Sequence, residues 1–265
     1  MTARAPAFIT GGSSGIGLEL ARQLAGRGHP VAIFARDANR LDAAAKVLER
    51  ESPGVRIATF AVDVGNRDAC RAAVERAIAD LGPPGWAIAN AGIAQPGAFL
   101  DQDLDLHLDH MRVNYLGALH FAKGCVPAMQ AGSKLVFVAS GAAFFGIYGY
   151  GAYAPSKFAM RGLAEVLRVE LAPRGVGVTL AYPPDTDTAM LAFEERFKPE
   201  ATKEITKGGG LWKPADVARL ILRRADRGRF AAAPGFQMQA LLMLHSLLAP
   251  ALRAWQGWVV RRKGG

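Results

Sequence analysis

The octet Thr10-Gly-Gly-Ser-Ser-Gly-Ile-Gly17 follows directly on the apolar run Ala7-Phe8-Ile9-Thr10, and helical apolar spacing then runs from Ile16 to Arg27. Gly11, Gly15 and Gly17 suit a tight strand-to-helix turn and a close approach of backbone to ligand, because glycine has no Cβ to clash at positive φ. The helix start behind them offers unpaired N–H groups and the positive end of a dipole, a combination suited to a pyrophosphate. Glycines in such a pattern match many turns by chance, but their place between a first strand and a first helix points to a dinucleotide. Its expected cradle is Gly11, Ser13, Ser14, Gly15, Ile16 and Gly17.

The strand-then-helix alternation continues along the chain. Apolar runs at Val31 to Ala35, Val55 to Val62, Trp86 to Asn90, Lys134 to Ser140 and Val176 to Tyr182 read as strands. Between them, segments such as Ala38 to Glu51 and Arg67 to Leu81 carry apolar residues at helical spacing with charges on the opposite face. This βαβ rhythm predicts an α/β fold with a Rossmann-like, doubly wound parallel sheet. With 265 residues, 51% of them apolar and 21% charged, the chain has enough core for one large domain and is too hydrophobic for disorder. We expect a dinucleotide-binding catalytic domain over 1–235. Its one long irregular stretch, 183–212, reads as a substrate loop with a Gly208-Gly209-Gly210 hinge that suits a lid.

The second strand ends Phe34-Ala35-Arg36-Asp37, where a dinucleotide fold commonly sets a carboxylate on the ribose 2′-hydroxyl. Ala35 takes that place, and Arg36 offers a planar cation suited to a 2′-phosphate, with Ser13 or Ser14 as hydroxyl donors below it. NADPH is therefore expected over NADH. The alternative makes Asp37 the ribose carboxylate and Arg36 a surface residue, although Asp37 also reads as the N-cap of the next helix. Asp63 and Val64, closing the third strand, are candidates for the adenine edge, or simply form a turn.

Tyr153-Ala-Pro-Ser-Lys157 opens a helix, and residues four apart share a helical face. A tyrosine titrates near pH 10 unaided, so it is a poor acid–base group at neutral pH without a nearby positive charge, which Lys157 would supply. Ser140 ends a strand whose C-terminal edge faces the expected cofactor crevice, where its hydroxyl can bond a carbonyl oxygen.

Taken in order, Thr10 to Gly17, Asn90-Ala91-Gly92, Asn114, Ser140 and Tyr153-x-x-x-Lys157 resemble the short-chain dehydrogenase/reductase family over nearly the whole chain. The resemblance implies hydride transfer between a nicotinamide and a carbonyl carbon, with Tyr153 giving the proton and Lys157 also binding the nicotinamide ribose. It further implies that Asn90, Ala91 and Gly92 brace the sheet beside the cofactor and that Asn114 holds a relay water behind the lysine. A homodimer or homotetramer is the family habit.

The octet Ala-Tyr-Pro-Pro-Asp-Thr-Asp-Thr at 181–188 has Pro184 where most members have glycine. It is similar to the 3-ketodihydrosphingosine reductases, as are Phe158-Ala-Met-Arg-Gly-Leu-Ala-Glu165 and the Ile9 to Ala21 segment. This narrower resemblance implies a long-chain keto lipid substrate, 3-ketosphinganine, reduced to sphinganine in sphingolipid synthesis. It places Pro183, Thr186 and Thr188 near the nicotinamide carboxamide and the phosphates. Two alternatives stay open. One is a reductase of another apolar ketone, such as a 3-oxoacyl thioester, a steroid or retinal. The other is a non-catalytic NADPH-binding scaffold or sensor, which the intact Asn114, Ser140, Tyr153 and Lys157 set disfavours.

The segment 236–265 differs in character. Phe236 to Leu252 is almost uncharged, and Trp255, Trp258, Arg261, Arg262 and Lys263 follow. The apolar part from Ala240 is shorter than the roughly 20 residues that span a bilayer, and His245, Pro250 and Arg253 interrupt it. Attachment at an anionic membrane surface through 236–263 is expected, with the tryptophans at headgroup level. A subunit-interface helix or lid is the alternative. The polar start, Met1 to Pro6, leads straight into the first strand, so no signal segment is expected. The protein should be cytoplasmic and peripheral on the cytoplasmic face of a membrane. Its net charge of +9 is spread through the chain without a basic-aromatic face, which argues against nucleic acid. Cys70 and Cys125 sit in helical apolar patterns and predict no disulfide. The five histidines show no metal-ligand spacing, and no metal is expected.

Overall fold

Each apolar run becomes a strand and each amphipathic segment a helix packed over it. The computed structural model describes residues 4–263. Residues 1–3, which begin the expected 1–235 unit, and 264–265, which end the 236–265 segment, lie outside the described residues. The first half is β1 (Ala7–Thr10), α1 (Gly15–Ala25), β2 (Val31–Ala35), α2 (Ala38–Glu51), β3 (Ile57–Ala61), α3 (Arg67–Leu81) and β4 (Trp86–Ala89). Then come α4 (Leu104–His110), α5 (Gly117–Cys125), β5 (Lys134–Val138), α6 (Tyr153–Glu170) and β6 (Gly177–Ala181). The chain finishes with α7 (Ala189–Glu194), α8 (Glu200–Thr206), α9 (Pro214–Asp226), β7 (Ala231–Ala232) and α10 (Gly235–Lys263).

The seven strands lie in the order β3-β2-β1-β4-β5-β6-β7, all parallel. The order reverses between β1 and β4, and a doubly wound sheet opens its ligand crevice beyond the C-terminal ends of the strands at such a point. Because successive strand side chains point to opposite faces, Phe8 joins one apolar layer while Ala7 and Ile9 join the other. The first layer is closed by α3, α5 and α6 through residues such as Val74, Phe121 and Met160. The second is closed by α1, α2 and α9 through Leu20, Leu41 and Val217. Cys70 and Cys125 are free, buried in the first layer, and burial raises both thiols above their ordinary range.

Three features depart from the sequence reading. The stretch 183–212 is not irregular throughout, since it folds into α7 and α8. The edge strand β7 is two alanines long and carries no periodic signal. The C-terminal element is longer than its apolar part, because α10 runs on through Pro250 for 29 residues, about 43 Å at helical rise. Pro250 lies on an exposed face, so the hydrogen bond it forgoes is replaced by solvent. By length and composition alone, α10 could cross a membrane.

Candidate active site

A cavity of about 750 Å³ opens at the strand-order reversal. Its floor is Gly11, Ser14, Gly15 and Ile16 on one side and Asn90, Ala91, Gly92, Ser140, Tyr153 and Lys157 on the other. Pro183, Thr186 and Thr188 close a third side. Ser13, Gly17, Arg36, Asp63, Val64 and Asn114 are not on its wall.

The glycine turn has the geometry its sequence requires. Gly11 and Gly15 have φ of 65° and 55°. A Cβ on Gly17 would overlap the Gly11 carbonyl oxygen, so this glycine serves helix-to-strand contact. Helices α2, α3 and α7 cap their first N–H groups with Asp37, Asn66 and Thr188. In contrast, Ser14 at the start of α1 makes no side-chain cap, and the first turn holds no acidic residue. The open N–H groups, the free Ser14 hydroxyl and the glycine backbone together fit a dinucleotide pyrophosphate. Thr188 packs directly on Gly15, while its hydroxyl donates to the Thr186 carbonyl at 3.2 Å.

Asn90 joins the two strand ends at the reversal. Its Nδ2 donates to the carbonyls of Thr10 (3.0 Å) and Gly11 (3.3 Å), and the Asn90 and Ala91 N–H groups donate to Thr10 Oγ1. Arg36, at the end of β2, is exposed and pairs with no carboxylate among the described residues, although it stands close enough to Asp63 to help lower that carboxyl. Asp37 accepts from the Arg40 N–H at 3.1 Å, as an N-cap does. Asp63 is held by Arg112 at 2.7 Å and by the Gly65 N–H at 2.9 Å. Val64 is buried, and its carbonyl bonds His120.

Tyr153 and Lys157 share one face of α6, as their spacing predicts. The Lys157 ammonium sits 5.5 Å from the Tyr153 ring centroid and donates to the Val138 carbonyl at 3.2 Å. Burial pushes Lys157 down to about 8. Burial and the charge of Glu194 push the Tyr153 phenol above its ordinary value, while the Ser140 hydroxyl opposes them. The phenol therefore holds its proton at neutral pH, which suits a donor. Asn114, fully buried in a π-helical turn (Met111–Leu116), accepts from the Ile93 N–H at 2.8 Å. Its Nδ2 donates to the Ile93 carbonyl (3.0 Å) and Ser156 Oγ (2.9 Å), which ties α6 to the end of β4.

Two further groups stand in this neighbourhood, a histidine whose sequence reading is a surface or satisfied core residue and a carboxylate that the sequence reading missed. His110 is fully buried 6.3 Å from the Tyr153 ring, with Nδ1 on the Leu106 carbonyl and Nε2 accepting from Gln95 N–H. That pattern holds it neutral, and burial lowers its pKa. Glu194, in the cavity wall, accepts from the Tyr150 hydroxyl at 2.8 Å. In the sequence it reads as one charge among the solvated Glu-Glu-Arg of a loop.

Desolvation raises the Glu194 carboxyl from 4.5 to about 7. A group with a raised folded pKa binds its proton more tightly in the folded chain, so this stabilisation is complete below about pH 4.5 and is lost as pH rises through about 7. Glu194→Gln keeps the shape without the charge. It should remove a loss on the order of 3 kcal/mol between those limits and raise Tm near pH 8. Calorimetry showing the same pH slope in both proteins would contradict this.

The model of the family described as short chain dehydrogenase matches residues 5–198. A 3-dehydrosphinganine reductase of Danio rerio is 35% identical over 241 residues, 88% of this chain and 73% of the relative. A 3-ketodihydrosphingosine reductase of Bos taurus is 35% identical over 254 residues, 94% and 76% of the two chains. Among solved structures, a short-chain dehydrogenase of Sphingobium yanoikuyae in complex with NADPH is 26% identical, with a TM-score of 0.78 over 95% of this chain and 96% of that one.

Proposed function

The chain belongs to the short chain dehydrogenase family, and we propose that it uses NADPH to reduce the 3-keto group of 3-ketosphinganine, giving sphinganine. The observation that carries this reading is the two-part lining of the cavity. Ser140, Tyr153 and Lys157 supply its polar reactive groups, and Phe145, Ile147, Leu191, Ile205, Met238 and Leu241 supply an apolar wall to the same cavity. A polar reactive head with a long alkyl tail matches that division. The named relatives, similar over most of both chains, support the same substrate. Enzymatic product formed with NADPH deuterated at the transferable position should be sphinganine carrying deuterium on C3. Sphinganine without the label, or no sphinganine, overturns the reading.

The cofactor supplies a hydride to the carbonyl carbon when bound. Ser140 holds the ketone oxygen, and Tyr153, kept protonated by burial, donates its proton to that oxygen as charge develops there. Lys157 holds the nicotinamide ribose and stabilises the phenolate left behind. With its side chain committed to Ile93 and Ser156, Asn114 offers the relay water its main chain in the π-helical turn.

Asn90, Ala91 and Gly92 brace the cofactor crevice, and Pro183, Thr186 and Thr188 border the nicotinamide and phosphates. Arg36, with Ser13 below it, takes the 2′-phosphate, and the backbone at Asp63 and Val64 borders the adenine. Arg36→Ala is expected to weaken NADPH binding roughly 10–100-fold, the range of a charge-assisted phosphate contact, and to leave NADH binding unchanged. Equal losses for both cofactors, measured by titration, would place Arg36 elsewhere.

Helix α10 serves as cavity wall and membrane contact. Met238 and Leu241 face inward, while Phe236, Met243, Leu247 and Trp258 are exposed. That outward apolar face, followed by Arg261, Arg262 and Lys263, suits peripheral binding to anionic lipid on the cytoplasmic side. A homo-oligomer joined along α6 and the π-helical turn before α5 is supported by exposed Leu116, Phe158, Val166 and Val169.

A further inference from the structure

The reaction scheme leaves Glu194 without a task, yet its setting is unusual for a carboxylate at the end of a short helix. It is only 9% exposed and lies in the cavity wall. Oε2 accepts from the Tyr150 hydroxyl at 2.8 Å, whereas Oε1 has no donor among the described residues. Nor is Oε1 among the polar atoms sealed away without a partner, so it keeps some exposure on a residue that lines the cavity. The neighbouring ammonium, Lys198, is already committed to Asp185 (3.3 Å) and Glu195 (2.6 Å). Three carboxylates therefore share one buried ammonium, an arrangement that favours a further cation.

The position relative to the reactive phenol matters as much as the charge. The Tyr150 ring, which holds Glu194, lies 5.4 Å from the Tyr153 ring, so the carboxylate is one aromatic side chain away from the proton donor. A ketone with an ammonium on the adjacent carbon places its positive charge a short distance from its carbonyl oxygen. With that oxygen on Tyr153 and Ser140, the ammonium falls within the neighbourhood of Glu194. The other carboxylates in the wall do not compete: Asp185 is paired with Lys198, and Glu204 is exposed at the rim.

We propose that Glu194, held by Tyr150, is the subsite for the substrate's ammonium group, so that the cavity selects ketones carrying a protonated amine beside the carbonyl. The proposal rests on reading the substrate as a long-chain amino ketone, but the subsite can be tested apart from turnover. Titration of tryptophan fluorescence in the NADP+-loaded protein, to which Trp255 in the cavity wall contributes, compares n-octylammonium with n-octanol, which share a chain and differ in charge. The wild-type protein should bind the ammonium more tightly by roughly tenfold or more, the scale of a buried charged hydrogen bond. Glu194→Gln should bring that ratio near unity, and Glu194→Asp should restore part of it.

A kinetic split accompanies the binding test. In Glu194→Gln the ratio of kcat/KM for 3-ketosphinganine to that for its desamino analogue should fall about tenfold or more. Equal binding of the two octyl probes by the wild type, or an ammonium preference that survives in Glu194→Gln, overturns the subsite. Should the wild type prefer the ammonium but fail to reduce 3-ketosphinganine, the subsite stands and the substrate reading falls. Should it reduce 3-ketosphinganine with no ammonium preference, the subsite alone falls.

Discussion

Tyr153→Phe is expected to lower kcat by roughly 10²–10⁴-fold, the usual contribution of a positioned proton donor, while NADPH affinity stays within a few fold. The substitution removes one oxygen and leaves the ring, whose packing against Tyr150 and His110 fixes the start of α6. Single-turnover kinetics separate this from a binding defect, since chemistry should slow while the saturating NADPH concentration is unchanged. A variant with full turnover would remove Tyr153 from the mechanism.

Gly17→Ala is expected to have the largest effect on stability. A Cβ there meets the Gly11 carbonyl oxygen and comes within 2.5 Å of Asn90 Nδ2. The former is backbone at the end of β1, and the latter holds β1 to β4, so neither can yield without opening the strand-order reversal. A loss of about 3 kcal/mol or more follows, the upper end for overpacking a tight contact. Gly162→Ala in α6 is the informative contrast, because a Cβ there meets nothing within 4 Å. It should add about 0.5–1 kcal/mol by helix propensity. Denaturant midpoints moving the same way in both variants would refute the assignment of Gly17 to close packing.

The sequence is most legible where function depends on short spacing. The Gly11, Gly15 and Gly17 turn, Arg36 beside Ala35, and Tyr153 four residues before Lys157 each declare a local geometry, and the structure puts the glycine turn and the Tyr153–Lys157 pair on one cavity. Strand rhythm was equally clear for the buried parallel sheet, whose runs are apolar on both faces. Asp63 and Asn114 are read from motif position alone, and the structure adds what the motif does not carry: their side chains bond internal partners, which leaves the main chain to face a ligand. Glu194 is not legible for a different reason: burial of a polar side chain depends on contacts distant in sequence, such as Tyr150 with Glu194. The α7 and α8 helices were hidden because 183–212 mixes prolines, glycines and charges, and short helices need tertiary packing to form. In α10, Pro250 sits on an exposed face of a continuous helix, so the apolar spacing on either side of it belongs to one element.

Direct assay of NADPH oxidation by the purified protein tests the central claim most closely, with 3-ketosphinganine in detergent micelles set beside acetoacetyl thioester, steroid ketone and NADH controls. The account predicts selective turnover of 3-ketosphinganine with NADPH. Turnover confined to the control ketones, or equal rates with NADH, would contradict it.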